Sequence, residues 1–146
     1  MDLPAQAVVD ATVAIKWLVP SEQGGAARRF WNRKLSAPDL IVPDTVNALW
    51  KYVTRLELTE DEARRAASFF PADALTLVPV QPLMQRSLDL ALALRLPVYG
   101  CVYLATAWLL ELPLVTADPD IISLVRAAST ERATLPTVLP LRLFEL

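Results

Sequence analysis

The chain has no histidine and one cysteine, Cys101, among its 146 residues. Without histidine, a Ser-His-Asp triad, a Cys-His pair and imidazole ligation of a metal are all excluded. A lone cysteine excludes an internal disulfide framework and any multi-cysteine zinc site. Lysine is scarce too, limited to Lys16, Lys34 and Lys51. Long apolar runs are also missing, although hydrophobic residues make up 54% of the chain and the mean hydropathy is +0.36. The longest uncharged stretch, Leu96 to Leu110, is broken by Pro97 and Gly100 and falls short of the ~18 to 20 residues of a spanning helix, so no membrane segment is expected. The amino terminus carries Asp2 and Pro4 with no basic region ahead of an apolar block, which makes the cytoplasm the expected compartment. Polar chemistry must then rest on carboxylates, hydroxyls, amides, lysine and arginine.

The length suits one domain, residues 1–146, with room for a real core. A net charge of -2 argues against a general basic coat for nucleic acid, but the charges are locally segregated. Arg28, Arg29, Arg33 and Lys34 surround Phe30 and Trp31, and Lys51, Arg55, Arg64 and Arg65 form a looser set. Basic residues mixed with aromatics can hold a phosphate backbone and stack on unpaired bases. An amphipathic helix with both aromatics inward and the arginines solvated gives the same pattern, and is the stronger of the two readings.

Along the chain, Val8-Val9-Asp10 reads as a buried strand ending in a carboxylate, followed by a short helix with Thr12 as its N-cap that stops at Pro20. Glu22 to Lys34 is a predicted helix, and Ala37 to Pro43 a predicted extended connection, because residues before proline are pushed from helical geometry. Val46, Leu49, Trp50, Val53 and Leu56 form an apolar stripe on the next helix, with Asp44 at its amino-terminal end. Thr59 and Glu62 make a capping box for a helix running to Phe70. Leu75 to Val80 is a strand candidate, Leu83 to Arg95 a helix, and Cys101 to Glu111 a nearly all-apolar core helix. Pro113 to Asp118 repeats the apolar strand ending in a carboxylate, Pro119 opens a helix to Ala128, and Thr137 to Leu139 is a last short strand. Strands alternating with helices predict an α/β domain with a parallel sheet covered on both faces.

Asp10 and Asp118 then share a geometry. On neighbouring parallel strands both carboxylates emerge at one sheet edge, where ligands bind in open α/β sheets. Their repulsion is relieved by a hard, oxygen-preferring cation such as Mg²⁺ or Mn²⁺, with Asp44 and Asp120 as further candidate ligands. Turn and helix-cap aspartates are common, and that is the structural alternative for each of them.

Over nearly its whole length the sequence resembles the PIN domain of VapC-like toxins. The segment Val8 to Trp17 is similar to the family's opening motif, with Asp10 as the first acid and Thr12 as the nearby hydroxyl. Ala37 to Leu40 and Asp44-Thr45-Val46-Asn47-Ala48-Leu49-Trp50 resemble the second block, where Asp44 stands for the usual glutamate. Leu114-Val115-Thr116-Ala117-Asp118 resembles the fourth block, with Asp118 as its acid. The third block departs from the pattern: in Tyr99-Gly100-Cys101-Val102-Tyr103 the aspartate expected after the first tyrosine is Gly100, which is read as a helix N-cap. The resemblance implies a three-layer α/β/α PIN-like fold and a Mg²⁺- or Mn²⁺-dependent endoribonuclease, weakened or retuned by Gly100. Asp10, Asp44 and Asp118 are its implied catalytic and metal-binding acids, Asp120 a further one, and Thr12, Asn47 and Thr116 support them. RNA, a small antitoxin and a second copy of the chain are the implied partners. Two other readings stand beside it: a non-catalytic PIN scaffold that binds RNA or a protein, and a phosphotransfer receiver, which also gathers strand-end aspartates but uses a lysine near its last strand.

Overall fold

Covered on both faces, the β-branched pair Val8-Val9 belongs to the inner strand β1 (Gln6–Val9), buried from Ala7 onward. The computed structural model describes residues 1–128 and 135–146. Around β1, the strands β2 (Lys34–Pro38), β3 (Leu75–Val78), β4 (Leu114–Thr116) and β5 (Val138–Pro140) assemble in the order β3-β2-β1-β4-β5, every pairing parallel. Parallel neighbours need crossovers. These are supplied by α1 (Ala11–Leu18), α2 (Gly24–Arg28), α3 (Ile41–Thr54), α4 (Glu60–Ser68), α5 (Met84–Leu94), α6 (Val98–Leu110) and α7 (Pro119–Ala128). Helix α1 packs on α2 and α3, and α3 on α4, while α5 packs on α6 and α7. The chain steps from β1 outward to β3 and then returns across the sheet to β4 and β5, so right-handed crossovers put these two helix sets on opposite faces. The result is the expected three-layer α/β/α architecture.

Phe30, Ile41, Leu104, Leu114 and Phe144 are among the largest side chains fully enclosed in the core. Helix α6 is apolar because it lies in that core, with Cys101 through Ala107 all buried. Among the described residues no single helix is long and apolar enough to cross a membrane. The sheet order reverses between β1 and β4, and in open parallel sheets the crevice at such a point is where ligands bind. This order also differs from the 2-1-3-4-5 order of receiver-type sheets, which counts against the phosphotransfer reading.

Several sequence expectations are corrected. The helix predicted over Glu22 to Lys34 is only α2; tight turns follow it, carrying Phe30 into an edge-to-face contact with Phe144 at 5.0 Å, while Trp31 stays exposed. Lys34 instead opens β2, a strand between two partners that supply the order its Ser-Ala-Pro sequence lacks. The extended segment predicted through Pro43 ends early, since α3 begins at Ile41. Pro43 is the third helical residue, where its missing N–H has no intrahelical partner to lose. The apolar stripe on α3 is mostly outside: Ile41, Thr45 and Leu49 are buried, whereas Trp50 is 61% and Leu56 93% exposed. The capping box at Thr59 and Glu62 forms as expected, because it depends only on local spacing.

Candidate active site

The parallel register pairs Val8 with Leu114 and Val9 with Val115, so one further step brings Asp10 beside Thr116. Asp10, rather than Thr12, is the N-cap of α1. Its Oδ1 accepts the backbone N–H groups of Thr12 at 3.0 Å and Val13 at 3.3 Å, and the Thr12 hydroxyl at 2.5 Å. Its Oδ2 accepts the Thr116 hydroxyl. The Thr12 hydroxyl in turn accepts Ala117 N–H at 2.8 Å, and the Thr116 hydroxyl accepts Asp118 N–H at 3.0 Å. Two threonines thus tie the start of α1 to the end of β4 and fix Asp10 between them. Asp10 is 2% exposed, and burial pushes its carboxyl up to about 6 against the pull of the Thr116, Thr12 and Val13 hydrogen bonds, with the nearby Asp118 charge adding to the rise.

Asp118 caps α7 through Oδ1, which accepts Asp120 N–H at 2.9 Å and Ile121 N–H at 3.4 Å, with Pro119 opening the helix. Its Oδ2 has no hydrogen bond among the described residues. Asp44, in the first turn of α3, accepts the Tyr103 hydroxyl on Oδ2 at 2.6 Å. Asp120 and Asn47 are exposed at the rim. The structure brings Asp10, Asp44, Asp118, Asp120 and Asn47 to one cleft of about 860 Å³ at the switch point, and Thr116 holds Asp10 from beneath it. Among the described residues no three acids come close enough to hold one ion together; Asp118 is near enough to Asp10 for its charge to add to the rise of the Asp10 carboxyl.

Sequence reasoning overlooked Tyr103 and Lys16 as members of the site. Tyr103 reaches over the sheet edge from α6, and its hydroxyl donates to Asp44. Burial, then the Asp44 charge, drives its phenol far above the ordinary value, so it stays a proton donor at any physiological pH. Tyr103→Phe keeps the ring packing and leaves Asp44 without this donor, so urea unfolding should show a loss of about 1.5 to 3 kcal/mol. An unchanged midpoint would show that water replaces the hydroxyl at no cost. Lys16 lines the cleft half-buried; desolvation lowers its pKa while Asp10 pulls it back up. Its signal was the four-residue spacing from Thr12, which puts both on one face of α1.

Gly100 is corrected from a helix N-cap to the third residue of α6, whose N-cap is Pro97. It lines the cleft one turn before Tyr103, and its backbone angle is not positive. A Cβ there would meet the tip of Ile121, Cδ1 at 3.3 Å and Cγ1 at 3.6 Å. The position can therefore take a side chain if Ile121 yields by a few tenths of an ångström.

No family model matches the chain, and no curated protein matches it in sequence. Solved structures do match. PAE2754 from Pyrobaculum aerophilum is similar at 20% identity with a TM-score of 0.67, over 95% of this chain and 85% of that one. A toxin-antitoxin complex from Klebsiella pneumoniae matches at 20% identity with a TM-score of 0.58, over 91% and 95% of the two chains. VapC20 of Mycobacterium tuberculosis, a toxin that cleaves the sarcin-ricin loop, matches at 13% identity with a TM-score of 0.62, over 80% and 93%. With these neighbours and a five-stranded parallel sheet between two helical layers, the chain has a VapC-like, PIN-like fold.

Proposed function

We propose that this chain is a Mg²⁺- or Mn²⁺-dependent endoribonuclease of the VapC toxin type, retuned by the loss of an acid at Gly100. The observation that carries it is the Asp10–Asp118 pair at the switch point of a PIN-like sheet. The donor set fits a hard cation: one carboxylate is buried at the expense of its charge, and the other has an oxygen without a hydrogen bond among the described residues. Such an ion keeps most of its waters and needs only one or two protein carboxylates. Asp10 and Asp118 would hold it, with Asp44 and Asp120 adding negative charge around it. When bound, it supplies Lewis acidity that polarises a phosphodiester and acidifies a water.

The chain's own residues do the rest. Thr12 and Thr116 fix the Asp10 carboxylate, Tyr103 holds Asp44 by one oxygen, and Lys16 and Lys51 line the cleft with positive charge for a phosphate. The structural neighbours include a toxin-antitoxin complex, and exposed Val46, Trp50 and Phe69 on and beside α3 and α4 offer apolar surface, so a small antitoxin and a second copy of the chain are the proposed partners, in the cytoplasm. A second reading, a non-catalytic scaffold binding RNA or a protein, is favoured by Gly100 alone.

Thermal melting tests the metal site. Saturating Mn²⁺ should raise the Tm by on the order of 5 °C through binding to the native state. Asp10→Asn should remove most of that rise. Asp39→Asn, on the exposed turn after β2 and outside the cleft, should keep it. Equal rises in the two variants would take Asp10 out of the site.

A further inference from the structure

From Gln23 to Pro38 the chain carries Arg28, Arg29, Arg33 and Lys34 and no carboxylate. The sequence left two uses open for these cations and for Phe30 and Trp31 between them, and the structure separates the two rings. Phe30 is fully buried against Phe144, whereas Trp31 is 53% exposed. An amphipathic helix with both aromatics inward is therefore not what this segment forms. Trp31 stands on the side of the charges. Arg28, Asn32, Arg33 and Lys34 are exposed with it, and no other apolar residue of 28–34 is. Among the described residues, Arg28, Arg33 and Lys34 make no side-chain hydrogen bond or ion pair, and no ring or guanidinium stacks on the indole.

The indole is presented on an anchored turn. Trp31 N–H donates to the Arg28 carbonyl at 3.2 Å and Arg33 N–H to the Phe30 carbonyl at 2.9 Å. Phe30 meets Phe144 edge-to-face, and Arg29 Nη1 donates to the Phe144 carbonyl at 2.6 Å. A ring held in this way loses little further freedom on binding. Lys34 opens β2 and pairs with Gln6 at the start of β1, so the turn ends at the amino edge of the sheet. The carboxylate cleft lies at the carboxyl edge, and none of these residues lines it.

We propose that residues 28–34 form a second RNA contact, a tether for single strands in which a base stacks on Trp31 and the flanking phosphates meet Arg33 and Lys34. The proposal shares RNA with the nuclease reading and needs no metal. An exposed indole among cations and an amide, with no other apolar surface in the turn, does not resemble the core of a protein interface, where lysine is depleted. It suits a planar polyanion: bases stack on an aromatic face while phosphates meet guanidinium and ammonium groups. A chain of net charge -2 with four aspartates in its cleft repels a polyanion there, so cations placed away from those acids strengthen its hold on a strand.

Fluorescence anisotropy of a labelled single-stranded oligouridylate, read in EDTA so that no strand is cut, tests this. Trp31→Ala should weaken binding roughly tenfold, the scale of one stacked base, and Trp31→Phe should keep most of the affinity. Arg33→Gln with Lys34→Gln should flatten the logarithmic salt slope by about 1.4, the value for two phosphate contacts on a single strand. Arg64→Gln, on the exposed side of α4, is the control and should bind as the parent does. Stacking also has its own signal: RNA should quench the tryptophan emission of the parent and of Trp50→Phe, and leave that of Trp31→Phe unchanged. Unchanged affinity in Trp31→Ala, an equal loss in Arg64→Gln, equal binding of a duplex of the same length, or no RNA binding by the parent would overturn the tether. So would a polyglutamate peptide that binds more tightly than RNA through the same residues, since the turn would then serve an acidic protein. Mn²⁺-dependent cleavage is read separately. Binding that depends on Trp31 without cleavage keeps the tether and removes the nuclease, whereas cleavage with unimpaired binding by Trp31→Ala does the reverse.

Discussion

Gly100→Asp should raise Mn²⁺-dependent cleavage of single-stranded RNA by roughly 10- to 100-fold, the scale on which metal-site neighbours change affinity or activity. The space exists. The new Cβ would press only on the Ile121 tip, and the backbone needs no left-handed angle. In the first turn of α6 an acid also complements the helix dipole, and replacing an interior glycine recovers helix propensity. A further carboxylate in the cleft of Asp10 and Asp118 adds repulsion, which a divalent cation relieves. The variant should therefore melt lower than the parent in EDTA and higher than the parent in Mn²⁺. If it folds, gains Mn²⁺ stabilisation and still cuts nothing, while the unmodified chain binds RNA or a protein, the scaffold reading replaces the nuclease.

The two strand-end aspartates were legible because each depends on a short local pattern: an apolar run, a carboxylate, then a helix that the carboxylate caps. The capping box at Thr59 was legible for the same reason. Strand β2 was not, since Lys-Leu-Ser-Ala-Pro has little intrinsic preference for a strand and owes its conformation to β1 and β3 on either side. On α3 the apolar stripe marked a face without saying whether anything covers it. Packing against α1 selected the Ile41-Thr45-Leu49 row instead, leaving Trp50 outside. The Tyr103–Asp44 bond joins helices from opposite layers across 59 positions of sequence. Its donor looked like one more apolar residue of a core helix. Resemblance supplied Asp44 where periodicity offered only a first-turn acid, and geometry then supplied its partner.

Asp10→Asn should abolish cleavage and yet stabilise the cation-free protein. Losing a ligand that helps neutralise transition-state charge costs several kcal/mol, so activity should fall by about 100-fold or more. The stability effect has the opposite sign. Burial pushes the folded Asp10 carboxyl up to about 6, from an ordinary value of 3.8, so its contribution to stability is full below about pH 4 and is lost as pH rises through 6. A displacement of that size corresponds to on the order of 2 to 3 kcal/mol, an upper bound because the asparagine forgoes charge-assisted hydrogen bonds. Asparagine fits the same frame: its oxygen can accept the Thr12 and Val13 N–H groups, and the Thr116 hydroxyl can rotate to accept its amide. In EDTA the variant should thus match or trail the parent at pH 4 and exceed it at pH 7, with the gap opening between those values. Saturating Mn²⁺ should reverse the order at pH 7, because the cation favours the ionised parent and has lost its ligand in the variant. A variant less stable than the parent at pH 7 in EDTA would show that the Asp10 charge is well accommodated without a metal, and retained cleavage would place the chemistry elsewhere in the cleft.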